Sequence, residues 1–176
     1  MQYQKTDQNY NMLNAKQIIE EGLLKLDNTK GKPAQVGYDL SIKSVQMIRS
    51  DLKVGFVLKD KTLLTEYEPK PKQQLDGYIG WLLYAGVYDI TFNEGCKIPE
   101  NRVAFIKQRS SLYRNGAVIN SPVFDPGFET ENMGTLLYVA ETIFIEEDAR
   151  VAQIYFHECE PAEMYNGQFQ NDKQRQ

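Results

Sequence analysis

Histidine and cysteine are nearly missing from this chain. Among 176 residues there is one histidine, His157, and there are two cysteines, Cys96 and Cys159, far apart in the sequence. A structural zinc centre needs roughly four such ligands at short spacings, and no Cys-x-x-Cys is present. The His-x-Glu and Pro-Cys-x-x-Cys pair of zinc nucleobase deaminases is absent as well. No Gly-x-Ser-x-Gly elbow accompanies the histidine, so a serine-hydrolase triad has no support and His157 reads as a strand-end surface or packing residue. Positive charge is also short. Lysine and arginine number 20 against 24 acids, for a net charge of −4. Coating nucleic acid needs a basic footprint that is missing here, so an anionic ligand must be met by a local cluster of Arg and Lys. No apolar run approaches the roughly 20 residues that cross a bilayer. The polar stretch 1–14 lacks the apolar core of a signal peptide. The expectation is a cytoplasmic protein with free thiols, with a Cys96–Cys159 bridge left open.

What is present fits one globular domain. Apolar residues make up 41 % and charged residues 25 % of the chain, and the length suits one core. After a polar leader, Asn14 is placed to cap a helix over Ala15–Leu24, with Ile18, Ile19, Leu23 and Leu24 at helical spacing and Gly22 near its end. From Lys25 onward the pattern changes to short alternating segments. These are Tyr38–Ile42, Gln46–Ile48, Gly55–Leu58, Gly86–Phe92, Arg102–Lys107, Gly116–Ile119, Gly134–Val139, Thr142–Glu146 and Ala149–His157, with one helical turn near Ser110–Arg114. Many short strands bounded by turn residues predict an all-β barrel or jelly roll with a short N-terminal helix. Residues 59–78 are polar and read as an exposed excursion. Residues 1–160 are expected to form the β domain and 161–176 a tail without a core of its own.

The densest chemistry lies in the run from Gln108 to Phe128, QRSSLYRNGAVINSPVFDPGF. Arg109, Ser110, Ser111 and Arg114 put two guanidiniums and two small hydroxyls within six residues. Such a set suits phosphate oxygens, and it also suits a solvated helix cap with surface arginines. Asp125 follows two apolar residues and precedes Pro-Gly. An acid there either orients and deprotonates a water or simply opens the turn, and spacing alone favours the turn.

Seven segments, in order, resemble one family. They are LNAKQIIEEGLL from Leu13, VGYDLSI from Val36, LLYAGVYDITFNEGCKIP from Leu82, RSSLYR from Arg109, FDPGF from Phe124, RVAQI from Arg150 and YNGQFQ from Tyr165. Together they resemble the dCTP deaminase / dUTPase superfamily, and more closely its dCTP deaminase-like branch. The resemblance implies a homotrimer of distorted β-barrels with active sites between subunits and a C-terminal tail closing over the nucleotide. It implies phosphate contacts from Arg109, Ser110, Ser111 and Gln153, with Arg114 in the same motif. It also implies a base pocket lined from Asn120 to Val123, and cover from Tyr165, Phe169 and Gln170. Phe124 and Phe128 are expected in the core. Mg²⁺ would travel with the triphosphate, Asp39 either touching its water shell or serving as a buried structural residue. The family's tail lysine is Gln168 here, and Lys173 is the substitute at hand.

Two reactions occur in that family. Deaminases use a glutamate about ten residues beyond the Asp-Pro/Ala-Gly motif, whereas pyrophosphatases use the aspartate of the motif itself. In this chain the glutamate position falls on Thr135 without a gap, or on Leu137 with a two-residue insertion. Neither relays a proton. Glu129 and Glu131 fall in the turn before that strand. Asp125 is intact, so the resemblance points to hydrolysis of dUTP to dUMP and pyrophosphate. dCTP deamination and a non-catalytic nucleotide-binding regulator are the alternatives.

Overall fold

Alternation of inward apolar and outward polar side chains builds the sheet. In the computed structural model, which describes residues 12–160 and 163–170, strands Arg102–Gln108 and Arg150–Glu158 pair antiparallel. Ala104, Ile106, Ala152, Ile154 and Phe156 are buried between the layers, and Phe105, Gln153, Tyr155 and His157 occupy the other face. Tyr38–Arg49 pairs with the far side of Arg150–Glu158, and Gly86–Phe92, Gly134–Val139 and Ala117–Asn120 follow in turn, all antiparallel. The last of these strands comes back beside Arg102–Gln108. Phe124 and Ala104 exchange backbone hydrogen bonds of 3.0 Å across the seam. The sheet is thus nearly closed, which covers most of its edges. The all-β barrel with a short N-terminal helix is what forms.

The helix is shorter than its apolar spacing suggests. Asn14 Oδ1 accepts from the backbone N–H of Lys16 and Gln17, and Gln17 returns a bond to the Asn14 N–H, so the start is doubly capped. The helix spans Ala15–Glu20, and Gly22 at φ +65° turns the chain out of it. Leu23 and Leu24 are then buried from extended backbone, with Leu24 opposite Cys96 in a small sheet of Leu24–Lys25, Gly95–Lys97 and Glu129–Thr130. Burial of those two leucines overrides the helical period.

The excursion at 59–78 is real, and it is tied down. Phe56–Val57 pairs Thr62–Leu63, Glu66–Pro69 pairs onto Gln46–Arg49, and Gln73–Leu75 pairs Tyr78–Leu83. The expected strands Tyr38–Ile42 and Gln46–Ile48 are one strand of 12 residues, with a bulge between Ile42 and Ser44. Below the sheet, Trp81, Phe92, Phe156, Leu40, Ile42 and Leu83 are fully buried, and the Trp81 indole N–H donates to the Lys70 carbonyl at 3.1 Å.

One buried acid organises the segment that leads into the long strand. Glu94 is fully buried and accepts from the Thr29 hydroxyl, the Gly31 N–H, and both the N–H and hydroxyl of Ser41. These donors offset the cost of burying the charge. Gly31 lies so close to the Asp39 carbonyl oxygen that a Cβ would overlap it. Replacing Gly31 with alanine should therefore cost about 1–3 kcal/mol or more in a urea melt, as overpacking does.

His157 packs edge-on against Phe105 and Tyr155, with ring centroids 6.1 and 5.6 Å away, which fits the packing role read from the sequence. Both cysteines are free; Cys96 is buried and Cys159 half-buried, and burial pushes each thiol up from its ordinary value. Thiol reagents require thiolate and access. Titration of the folded protein should label Cys159 slowly and Cys96 only on denaturation; rapid reaction of both would contradict this burial.

Candidate active site

Asp39 sits in the long strand with the Arg150–Glu158 strand beside it. Gln153 is directly opposite Asp39, and Arg150 is opposite Ser41. A regular ladder would put Arg150 on the same face as Ala152, in the core. The bulge at Val151 shifts the register by one residue and turns Arg150 onto the face of Asp39 and Gln153. Three groups then converge on one carboxylate. Arg109 Nε lies 3.3 Å and Arg150 Nη1 3.6 Å from Asp39 Oδ2, and Gln153 Nε2 donates to Oδ1 at 3.3 Å. The Asp39 side chain is 5 % exposed, whereas the two arginine side chains are about a third exposed. The acid is therefore an anchor, and the arginines keep one side to solvent.

Arg109 is held a second time, by a bond from Nη1 to the Arg150 carbonyl at 3.1 Å. Its backbone N–H donates to the Val151 carbonyl, and buried Leu112 fixes the following helix Ser110–Arg114. Asp39, Arg109, Ser110 and Gln153 line a cavity of about 600 Å³ together with Lys32, Lys107 and Tyr155. Asp39 is the only acid among the described residues that line it.

A second cavity, of about 400 Å³, holds Asp125. Phe124 is buried beneath it, Asp125 itself is exposed, and Gly127 at φ +88° completes the turn. Val123, Pro122, Phe124, Phe128 and Leu64 make most of the wall apolar. Tyr165 and Phe169 from the tail also line it. The Tyr165 N–H donates to the Pro126 carbonyl at 2.7 Å, and its ring meets Phe128 edge-on at 5.3 Å. Gln170 Nε2 donates to the Gly127 carbonyl, and its Oε1 accepts from the Glu129 N–H, so this side chain clasps the turn. Lys173 lies outside the described residues.

The residues singled out from the sequence thus fall into two groups. Asp125, Val123, Tyr165 and Gln170 gather at one cavity, and Arg109, Ser110, Gln153 and Asp39 at the other. Ser111 and Arg114 stand exposed on the helix, and Asn120 is exposed at the end of its strand. Within a single chain the acid and the arginine–serine cradle do not share a cavity. Sequence reasoning missed Gln46, Tyr67 and Asp89, which line the Asp125 cavity, and Lys32 and Lys107 in the other. A signal existed for Asp89: it is an acid in the middle of a strand that otherwise reads Tyr, Ile, Thr, Phe.

Comparison with known proteins agrees with this architecture. The dCTP deaminase-like family profile matches residues 13–159. The chain belongs to the dCTP deaminase-like family. A probable deoxyuridine 5'-triphosphate nucleotidohydrolase of Methanosarcina barkeri is 32 % identical over 140 residues, covering 77 % of this chain and 79 % of that one. A deoxyuridine 5'-triphosphate nucleotidohydrolase of Methanocaldococcus jannaschii is 37 % identical over 125 residues, covering 71 % and 78 %. The crystal structure of 2'-deoxycytidine 5'-triphosphate deaminase from Agrobacterium tumefaciens superposes with a TM-score of 0.57 at 17 % identity, covering 85 % of this chain. This chain spans about half of that deaminase, 49 % of its length.

The two positions to which the sequence resemblance assigns a deaminase glutamate, Thr135 and Leu137, carry no carboxylate. Thr135 is buried and its hydroxyl donates to the Asn120 carbonyl at 2.8 Å, and Leu137 is fully buried in the core. Glu129 and Glu131 are both ion-paired with Lys25, at 2.7 and 2.5 Å. The Lys25 contact holds the Glu129 carboxyl below its ordinary range.

The anchor role of Asp39 has a measurable consequence. Asp39→Asn removes the charge that two guanidiniums share. It should cost about 1–3 kcal/mol by thermal or urea unfolding, less than a fully buried pair because both arginines are partly solvated. Unchanged stability would mean the three contacts hold nothing.

Proposed function

We propose that the protein hydrolyses dUTP to dUMP and pyrophosphate, with Asp125 accepting the proton of the attacking water. The observation that carries this reading is the placement of Asp125. It is an exposed carboxylate lining a largely apolar cavity roomy enough for a pyrimidine base, with two tail aromatics in the wall. In the step itself, the water oxygen bonds to the α-phosphorus and the bridging bond to the β-phosphate breaks. The water proton goes to Asp125 and pyrophosphate leaves.

The cavity around Arg109 supplies the complementary half. Its donors include a guanidinium and an amide already oriented by Asp39, which need little reorganisation when phosphate charge develops, and the Ser110 hydroxyl beside them. This donor set suits phosphate oxygens rather than a cation, because its one carboxylate is occupied by arginines and Gln153. Mg²⁺ in this reading is carried by the triphosphate and its waters, where it neutralises phosphate charge. Thr135 and Leu137, where the resemblance would put the deaminase glutamate, carry no carboxylate, which argues against the deaminase alternative.

The two half-sites call for a second copy of the chain, and the homotrimer belongs to the same proposal. Val118, Tyr138 and Val87 are directly opposed across three strands, and all are exposed, at 38 %, 38 % and 40 %. Tyr113, on the helix that carries Ser110, Ser111 and Arg114, lines the same open surface. An exposed apolar row of this kind is a surface that a second copy of the chain could cover, which supports the reading that Arg109 of one chain and Asp125 of another complete one site. The two free thiols fit a reducing, cytoplasmic setting.

Asp125→Asn should lower kcat for pyrophosphate release by about 10²-fold or more while dUTP binding persists. Full activity in this variant would reduce Asp125 to a turn residue. Subunit sharing has its own test. Asp125→Asn and Arg109→Ala proteins, each inactive, should regain part of the activity when mixed and allowed to exchange subunits. No recovery in mixed oligomers would place both groups in one chain's site.

A further inference from the structure

Asp89 is a carboxylate that the hydrolytic step does not use, yet it lines the same cavity as Asp125. It is 1 % exposed and lies in the middle of Gly86–Phe92. Tyr88, Ile90 and Phe92 are buried beside it in the strand, pointing to the opposite face. Gln46 is directly opposite Asp89 on one side and Leu136 on the other, with Asn120 beyond Leu136. Opposed residues share a face, so these four form one row across four strands. Gln46 and Asp89 both reach the cavity. A strand position against a mostly apolar cavity is filled more cheaply by valine or threonine than by an acid, whose burial must be offset by donors.

Its chemistry suits a base edge. An ionised carboxylate only accepts hydrogen bonds, whereas the neighbouring Gln46 amide can donate. Uracil presents an N–H at ring position 3 flanked by two carbonyls; cytosine presents a bare acceptor nitrogen there, beside an amine. We propose that Asp89 and Gln46 read the pyrimidine, Asp89 accepting the uracil N3–H and the Gln46 amide donating to an adjoining carbonyl. Cytosine would bring its N3 lone pair against the carboxylate and is disfavoured. The apolar walls keep water from masking that difference. This assignment rests on the nucleotide base occupying the Asp125 cavity. Asp125 then prepares the water, and Asp89 selects the base.

The test compares wild type with Asp89→Asn and Gln46→Leu. Circular dichroism and melting establish that each is folded. Calorimetry with dUTP and with dCTP gives the binding preference, and pyrophosphate release from dUTP is followed separately. Asparagine keeps the shape but adds an N–H that suits the cytosine N3. The dUTP-over-dCTP preference should fall about tenfold or more in Asp89→Asn, carried by affinity for the two nucleotides. Gln46→Leu should lower the same preference, and it carries the test alone if Asp89→Asn does not fold. A merely structural role would weaken both nucleotides together. A preference within about twofold of wild type in a folded variant would overturn the assignment. If wild type binds dUTP selectively but releases no pyrophosphate, the hydrolytic reading fails while base reading by Asp89 stands.

Discussion

The arrangement depends first on one buried carboxylate shared by two guanidiniums and an amide. Asp39 is nearly out of solvent, and each of its oxygens is engaged by a group from another part of the chain. Leaving such a charge unpaired would be far costlier than leaving an exposed one. The fold must therefore deliver Arg109, Arg150 and Gln153 to the same face. The bulge at Val151 does this for Arg150, and the direct pairing of Gln153 with Asp39 does it for the amide. Arg109 and Gln153 are held in place because the same side chains neutralise the buried charge of Asp39.

Behind Asp39 stands a second buried acid with a different task. Glu94 holds Thr29, Gly31 and Ser41, and so fixes the backbone that runs past Asp39 on its other side. Lys32–Pro33, which pairs with Tyr38–Asp39, forms a wall of the Arg109 cavity. The Arg109 half of the site is thus framed by backbone clamped from within. The Asp125 half is framed differently, by a proline–glycine turn over Phe124 and Phe128 and by tail residues that bond to that turn.

Much of the fold was legible because its strands obey a period of two. Gly86–Phe92 and Gly134–Val139 form over the residues that their alternation and flanking turns indicate. Leu23 and Leu24 misled because two leucines at the end of an amphipathic pattern serve a helix or a strand equally well. Only the pairing of Leu24 with Cys96 decides between them. The motif RSSLYR suggested a site for anions, but spacing along a chain does not say which cavity a residue lines. The separation of Arg109 from Asp125 is a matter of barrel geometry. The pairing of Asp89 with Gln46 was invisible for a similar reason: the two are distant in sequence and meet only through strand register.

The central claim is that water activated by Asp125 attacks the innermost phosphorus of dUTP. Hydrolysis in water enriched in oxygen-18, with mass analysis of the products, tests it most directly. The account predicts the heavy oxygen in dUMP and none in pyrophosphate. Label in pyrophosphate, or release of ammonia from dCTP in place of dUTP cleavage, would contradict it.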